Sequence, residues 1–234
     1  DEAADYFRTF SKRYDFTYKI KISSNISAAA MVINSSQTLV LNKSHKFSQH
    51  QLNVLCNHEI GVHMVTTFNA LVQPLKIFSN GFPNNVQTQE GLAVYSEFMS
   101  GNLSIDRLKE LSYRVLAVDS LNKGYSFSDT FDLLYSQYKL DKNKAFIITQ
   151  RVHRGGGFTK DHLYLSGLIK IYNYAKSNKD LQPFLMGKVA MEYESVLNVL
   201  LNKGLAVKPL YITDSYTLEL EKEPTVKFIL DSLD

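Results

Sequence analysis

Two histidines five residues apart, inside a stretch that otherwise reads as helix, constrain this chain more than any other feature. Ser48 precedes a long helical pattern that carries Leu52, Leu55, Glu59 and His63. Within it stands His58-Glu59-Ile60-Gly61-Val62-His63. A regular α-helix turns about 100° per residue, so positions five apart lie about 140° apart around its axis. Both imidazoles can serve one site only if the helix is locally widened. A single π-type turn absorbs the additional residue, and such turns occur mostly at functional sites. Gly61, lacking a Cβ, is the position expected to take up the unusual backbone angles. On an undistorted helix the aligned pair is instead Glu59 and His63, an ordinary side-chain contact.

The pattern departs by one residue from the His-Glu-x-x-His arrangement that binds zinc in metalloproteases. A third donor lies further on. Thr88-Gln89-Glu90-Gly91-Leu92-Ala93-Val94-Tyr95 reads as the opening of a second helix, with Thr88 as its cap and an apolar stripe of Leu92, Tyr95 and Met99. Glu90 falls in its first turn, where an acidic residue also suits the helix N-terminus on charge alone. With the histidine pair it completes a two-His, one-Glu set with a free position for water, the arrangement of catalytic zinc. Glu97 is the competing donor, and its spacing from Glu90 is read as placing it on a different face. Cys56, the single cysteine, excludes an internal disulfide and reads as a small core residue.

Asn57-His58-Glu59-Ile60-Gly61-Val62-His63 together with Gln89-Glu90-Gly91-Leu92-Ala93 resembles the bacterial QEGLA-motif proteins, relatives of the microtubule-associated tyrosine carboxypeptidases of animals. The resemblance continues in Arg151-Val152-His153-Arg154-Gly155 and from Phe158 to Gly167, and spans roughly residues 17 to 210. It implies a zinc metallopeptidase of zincin type. His58, His63 and Glu90 would hold Zn2+, Glu59 would be the catalytic carboxylate, and the partner would be a peptide or protein C-terminus. The animal members remove a C-terminal tyrosine from tubulin. Relatives are also described as modulators of flavohaemoglobin expression, which leaves a non-catalytic, metal-binding regulatory or interaction protein as the alternative.

Arg151 to Lys160 encloses three consecutive glycines between cations. The Gly-Lys-Ser/Thr ending of a P-loop is absent, which argues against a nucleotide site. A carboxypeptidase must recognise the end of a peptide, and an arginine can grip a terminal carboxylate with two parallel hydrogen bonds. Arg151 and Arg154, three apart on a helical end, are expected to face one cleft, with Lys160 in reserve. Their other reading is compensation of a helix C-terminus. Tyr164 and His162 are candidates to donate a hydrogen bond to a developing oxyanion. His153 is read as a non-ligand.

At 234 residues, 44% of them hydrophobic, the chain can bury a full core, expected to be one domain over 1–234. Residues 1–15 read as a short polar helix, possible remnant of a removed N-terminal segment, and 212–234 as a polar surface tail. Phe16 to Ile22 alternates as a strand, and Ala29 to Ile33 with Thr38 to Leu41 form a hairpin about Asn34-Ser35-Ser36. Residues 69–87 read as a long loop. Helices are expected over 88–100, 104–122, 128–139, 142–154, 161–177 and 188–203, stopped by Gly101, Gly124, Gly155 and Gly204. The class is α+β, predominantly helical with a small N-terminal sheet. A net charge of +3 does not point to nucleic acid, and no apolar run is long enough to span a membrane. The expected location is cytoplasmic, and oligomeric state is left open.

Overall fold

Alternating and hairpin patterns near the N-terminus become one three-stranded sheet: β1 (Lys19–Ser23), β2 (Ala30–Ile33) and β3 (Thr38–Asn42), in the order β1-β3-β2. The structure, a computed structural model, describes residues 2–156, 158–218 and 220–233. Asp1, the third glycine Gly157 and Glu219 of the acidic tail lie outside the described residues. β1 runs parallel to the central β3 and β2 antiparallel to it, joined through a 3-10 turn at Asn34–Ser36. The Asn42 amide donates to the Ala29 carbonyl, and Ala30 faces Leu41. Alternation along an antiparallel ladder then turns Met31 and Ile33 toward β3, and the backbone groups of Ala30 and Val32 outward.

The remainder is mostly helical. α1 (Glu2–Ser11) buries Ala4 and Phe7 against the sheet-side core. α2 (Gln49–Leu55) starts on a capping box in which Ser48 and Gln51 satisfy each other's backbone amides. It continues without a break through a widened π segment, Cys56–Met64, into α3 (Val65–Leu71). After the short α4 (Ile77–Asn80) come α5 (Asn85–Met99), α6 (Ile105–Asn122), α7 (Phe127–Asp132), a second π segment at Leu133–Gln137, and α8 (Lys142–His153). α9 (Leu163–Lys176), α10 (Glu194–Asn202) and α11 (Pro224–Asp231) complete the chain. Among the described residues no helix is long and apolar enough to cross a membrane.

Several boundaries move. The 69–87 interval is largely structured, because α3 runs to Leu71 and α5 begins after Asn84, a left-handed residue at φ 57°. Thr88 is therefore no cap, and its Oγ1 accepts from the Met191 amide instead. The last long helix starts at Glu194, not 188. The 212–234 segment is no surface tail: Thr213, Ser215, Val226 and Leu230 are buried, the latter two in the main helical core.

Two cores sandwich the π segment. Cys56, Ile60 and Met64 pack with α1 and the sheet, while Val62 joins the core of α5, α6, α9 and the C-terminal elements. His58, Glu59 and His63 occupy what remains of its circumference. α5 and α9 touch backbone to backbone, since a Cβ on Gly91 would meet the Gly167 carbonyl carbon at 2.5 Å. This contact, possible only between glycines, brings the start of α9 beside Glu90.

Candidate metal centre

The widened segment closes hydrogen bonds five residues apart, as where the Val65 amide reaches the Ile60 carbonyl. Widening draws residues five apart toward one line, and the His58 and His63 ring centroids stand 4.9 Å apart. It also misaligns carbonyls that an α-helix would satisfy, and buried carbonyls need partners. Neighbouring side chains supply them. Ser96 Oγ donates to the Asn57 carbonyl at 3.1 Å and Thr213 Oγ1 to that of Gly61 at 2.7 Å. The His63 carbonyl accepts from Thr67 Oγ1 at 2.7 Å and Lys188 Nζ at 3.2 Å.

Gly61 is not what permits the bulge. It has no positive φ, and a Cβ there would sit 3.6 Å or more from its neighbours, ordinary contact distance.

Glu90, in the second turn of α5 and not its first, points its Oε2 at both rings. It lies 3.5 Å from His58 Nε2 and 3.6 Å from His63 Nε2. One donor atom from each of the three residues falls within 4.8 Å of the others. Oε2 is buried and has no hydrogen-bond partner among the described residues, while Oε1 is held by Lys160 Nζ. An orphaned carboxylate oxygen facing two imidazole nitrogens fits a divalent cation with open positions. These residues can hold a metal.

Glu97 is not on another face. Seven residues are about 700° of turn, which returns it to within about 20° of Glu90. It passes behind the site: His58 Nδ1 and Glu97 Oε1 are 2.8 Å apart, and Arg107 grips the other side of the carboxylate. A carboxylate on Nδ1 fixes the tautomer that leaves Nε2 free for a metal.

The electrostatics follow from burial and pairing. Burial alone would lower the His58 pKa, but the neighbouring carboxylates of Glu90 and Glu97 outweigh it and carry it to about 10. His63 is pushed down to about 4 by burial. Burial opposes the charge on Glu97, yet Arg107 and His58 hold its carboxyl at about 2. Glu59 is driven up to about 7 by burial, with the His58 charge and the Val32 amide of the edge strand partly offsetting it. Lys188, which the sequence did not single out, is depressed to about 7 by burial.

The other predicted residues separate. Tyr164 is buried, its ring stacked 6.4 Å from that of His58, with the Arg114 guanidinium and Lys160 ammonium over it at 5.4 and 5.6 Å. Arg151 is engaged by Asp161 Oδ1 through both Nε and Nη2. Arg154 is exposed and donates to Ser27, so the two arginines take different partners. His162 precedes α9 with its Nδ1 buried and without a hydrogen-bond partner among the described residues. His153 Nε2 meets Thr130 Oγ1, away from the triad's contacts. Sequence reasoning missed Arg114, whose buried guanidinium joins Asp161 and Glu110 beside Tyr164. No spacing rule could have found it, because Asp161 and Tyr164 come from a distant part of the chain.

A family model described as microtubule-associated tyrosine carboxypeptidase matches residues 1–234. MATCAP2 of Homo sapiens, provisionally named a tyrosine carboxypeptidase, is 30% identical over 227 residues, covering 88% of this chain and 41% of its own. Microtubule-associated tyrosine carboxypeptidase 1 of Mus musculus is 28% identical over 178 residues, 70% of this chain and 37% of its own. The chain thus spans about two fifths of the length of the curated relatives it matches.

Proposed function

The chain belongs to the microtubule-associated tyrosine carboxypeptidase family, and on that premise we propose that it is a zinc-dependent carboxypeptidase releasing a C-terminal residue, aromatic in keeping with its relatives' names, from a peptide or protein. The observation that carries this reading is the partnerless Oε2 of Glu90 facing His58 Nε2 and His63 Nε2.

Zinc in that triad supplies Lewis-acid polarisation of the scissile carbonyl and lowers the pKa of water. Glu59, whose buried carboxyl is poised near 7, takes the proton of the attacking water and returns it to the leaving amine nitrogen. The Tyr164 hydroxyl, with His162 as the second candidate, donates to the oxyanion. The outward backbone groups of Ala30 and the outward carbonyl of Val32 suit an extended substrate pairing with β2 as an added strand. Lys160, half exposed and already beside Glu90, is assigned to the terminal carboxylate, with Arg151 held behind it by Asp161. Arg154 has the weaker claim, because its side chain is turned to Ser27.

The test is a peptide library varied at the C-terminus, incubated with zinc-loaded protein. Release of a single C-terminal amino acid is expected, and Glu59→Gln should retain zinc while turnover falls on the order of a thousandfold. Undiminished turnover in Glu59→Gln refutes the assignment of the base. Zinc binding without release from any peptide favours the regulatory alternative.

A further inference from the structure

We propose that Lys188 is a positioning residue that locks the two ligand-bearing helices at the separation a metal requires. The inference rests on the metal reading above, and is independent of substrate or reaction.

Lys188 lies in the connector between α9 and α10, buried to 7% exposure. Its backbone is pinned on both sides: its amide donates to the Phe78 carbonyl at 2.7 Å, and its carbonyl accepts from the Phe82 amide at 2.8 Å. The stem thus enters the protein from a fixed point. Its Nζ donates to Thr66 Oγ1 at 2.8 Å and to the His63 carbonyl at 3.2 Å, and reaches Gln89 Oε1 at 3.5 Å. Thr66 itself donates to Gln89 Oε1 at 3.0 Å, and Gln89 Nε2 donates back to the Gly187 carbonyl at 3.2 Å.

These acceptors divide between the two ligand helices. His63 and Thr66 belong to the helical run that carries the histidines, and Gln89 immediately precedes Glu90. One ammonium therefore bridges the backbone of one ligand and the neighbour of another. The bridge is costly, because burying a cation without a paired anion opposes folding. Among the described residues no carboxylate forms an ion pair with it, and an apolar side chain would fill the space without that cost. A neutral amine would keep hydrogens for both Thr66 and the His63 carbonyl, so the bridge does not depend on protonation. Metal–ligand distances tolerate only about ±0.2 Å. A small rotation of α5 against the π segment would therefore be felt at the metal.

The sign of the effect separates positioning from electrostatics. Removing a positive charge near a cation, with geometry unchanged, should tighten binding. Removing a strut should weaken it. Zinc dissociation constants and the visible absorption of the cobalt-substituted full chain are measured for wild type, Lys188→Met and Thr66→Val, with far-UV circular dichroism to confirm folding. Lys188→Met is expected to weaken zinc at least tenfold and to shift the cobalt bands, and Thr66→Val to move both in the same direction by less. Gln73→Leu cuts a buried tie to Val207 remote from the ligands, and should lower the melting temperature without moving either metal readout. Should Lys188→Met fail to fold, Thr66→Val decides the question. Wild-type or tighter zinc affinity with an unshifted cobalt spectrum, in every variant that folds, overturns the inference and leaves the metal reading intact. A wild-type chain that binds neither metal overturns both.

Discussion

Among the described residues the helix is widened twice, over Cys56–Met64 in the middle of a continuous run and over Leu133–Gln137 at the end of α7. The second segment buries one residue, Leu134, and ends at once: the Tyr138 amide closes on the Leu133 carbonyl and Lys139 turns the chain at φ 57°. Its misaligned carbonyls face a helix end, where unmatched groups are normal. The first is buried at eight of its nine positions, only His63 being partly open, and its carbonyls are met by Thr67 of the next turn and by Ser96, Thr213 and Lys188 from elsewhere in the fold. An extra residue at a helix end is a way to stop. In a helix interior it persists only with dedicated partners, and here it aligns two imidazoles.

The strongest attack on this contrast is deletion. Removing Gly61 takes away the residue that the widened turn absorbs, so the segment must close into a regular helix and withdraw the carbonyls that Ser96, Thr213, Thr67 and Lys188 now meet. The thermal transition is expected to fall by about 10 °C or more, as several buried polar groups lose their partners. Removing the exposed Gln137 should leave a cooperative transition lowered by about 4 °C or less, in keeping with a loss near 1 kcal/mol. Equal damage from both deletions would break the comparison.

Next in size is Glu97→Gln, which removes the charge behind His58. Zinc affinity measured by competition with a chromophoric chelator should fall about 10- to 100-fold, whereas Asp132→Asn beside the second segment should leave it unchanged. Thr213→Val strands the buried Gly61 carbonyl and should cost about 1 to 3 kcal/mol in urea unfolding. Ser136→Ala, which loses only a contact with Asp132, should cost less than about 0.5 kcal/mol.

The smallest step is in pH. A ligating imidazole must be neutral. His58 near 10 is protonated in the metal-free protein at neutral pH, and His63 near 4 is not. Metal binding between those values therefore displaces one proton, and the apparent association constant should rise about tenfold per pH unit. Below about 4 the slope should steepen as His63 also protonates. A flat profile from about pH 5 to 8 would contradict the displacement of a proton from His58 on metal binding.

The parts of the fold legible beforehand were those written in local periodicity. Alternation marked the strands, Ser48 and Gln51 stand three apart as a capping box requires, and Gly101, Gly124 and Gly204 end helices at positive φ. The five-residue spacing of His58 and His63 demanded a widened helix, and the helix is widened there. Glu97 was legible and misread, since seven residues are two turns. The C-terminal segment was legible too: Val226, Ile229, Leu230 and Leu233 fall at helical spacing on one face, though acidic neighbours suggested a surface tail. Lys188, Thr213 and Arg114 belong to a different category. The partners that give them their place at the site, Asp161 for Arg114 among them, lie tens to over a hundred residues away, and only the closed fold brings them together.

Anomalous scattering at the zinc edge, from crystals of the full chain grown with zinc, tests the central claim most directly. The account predicts one strong peak about 2.0 to 2.2 Å from His58 Nε2, His63 Nε2 and a Glu90 carboxylate oxygen. A peak bound elsewhere, or an undistorted helix that turns the two rings apart, would contradict it.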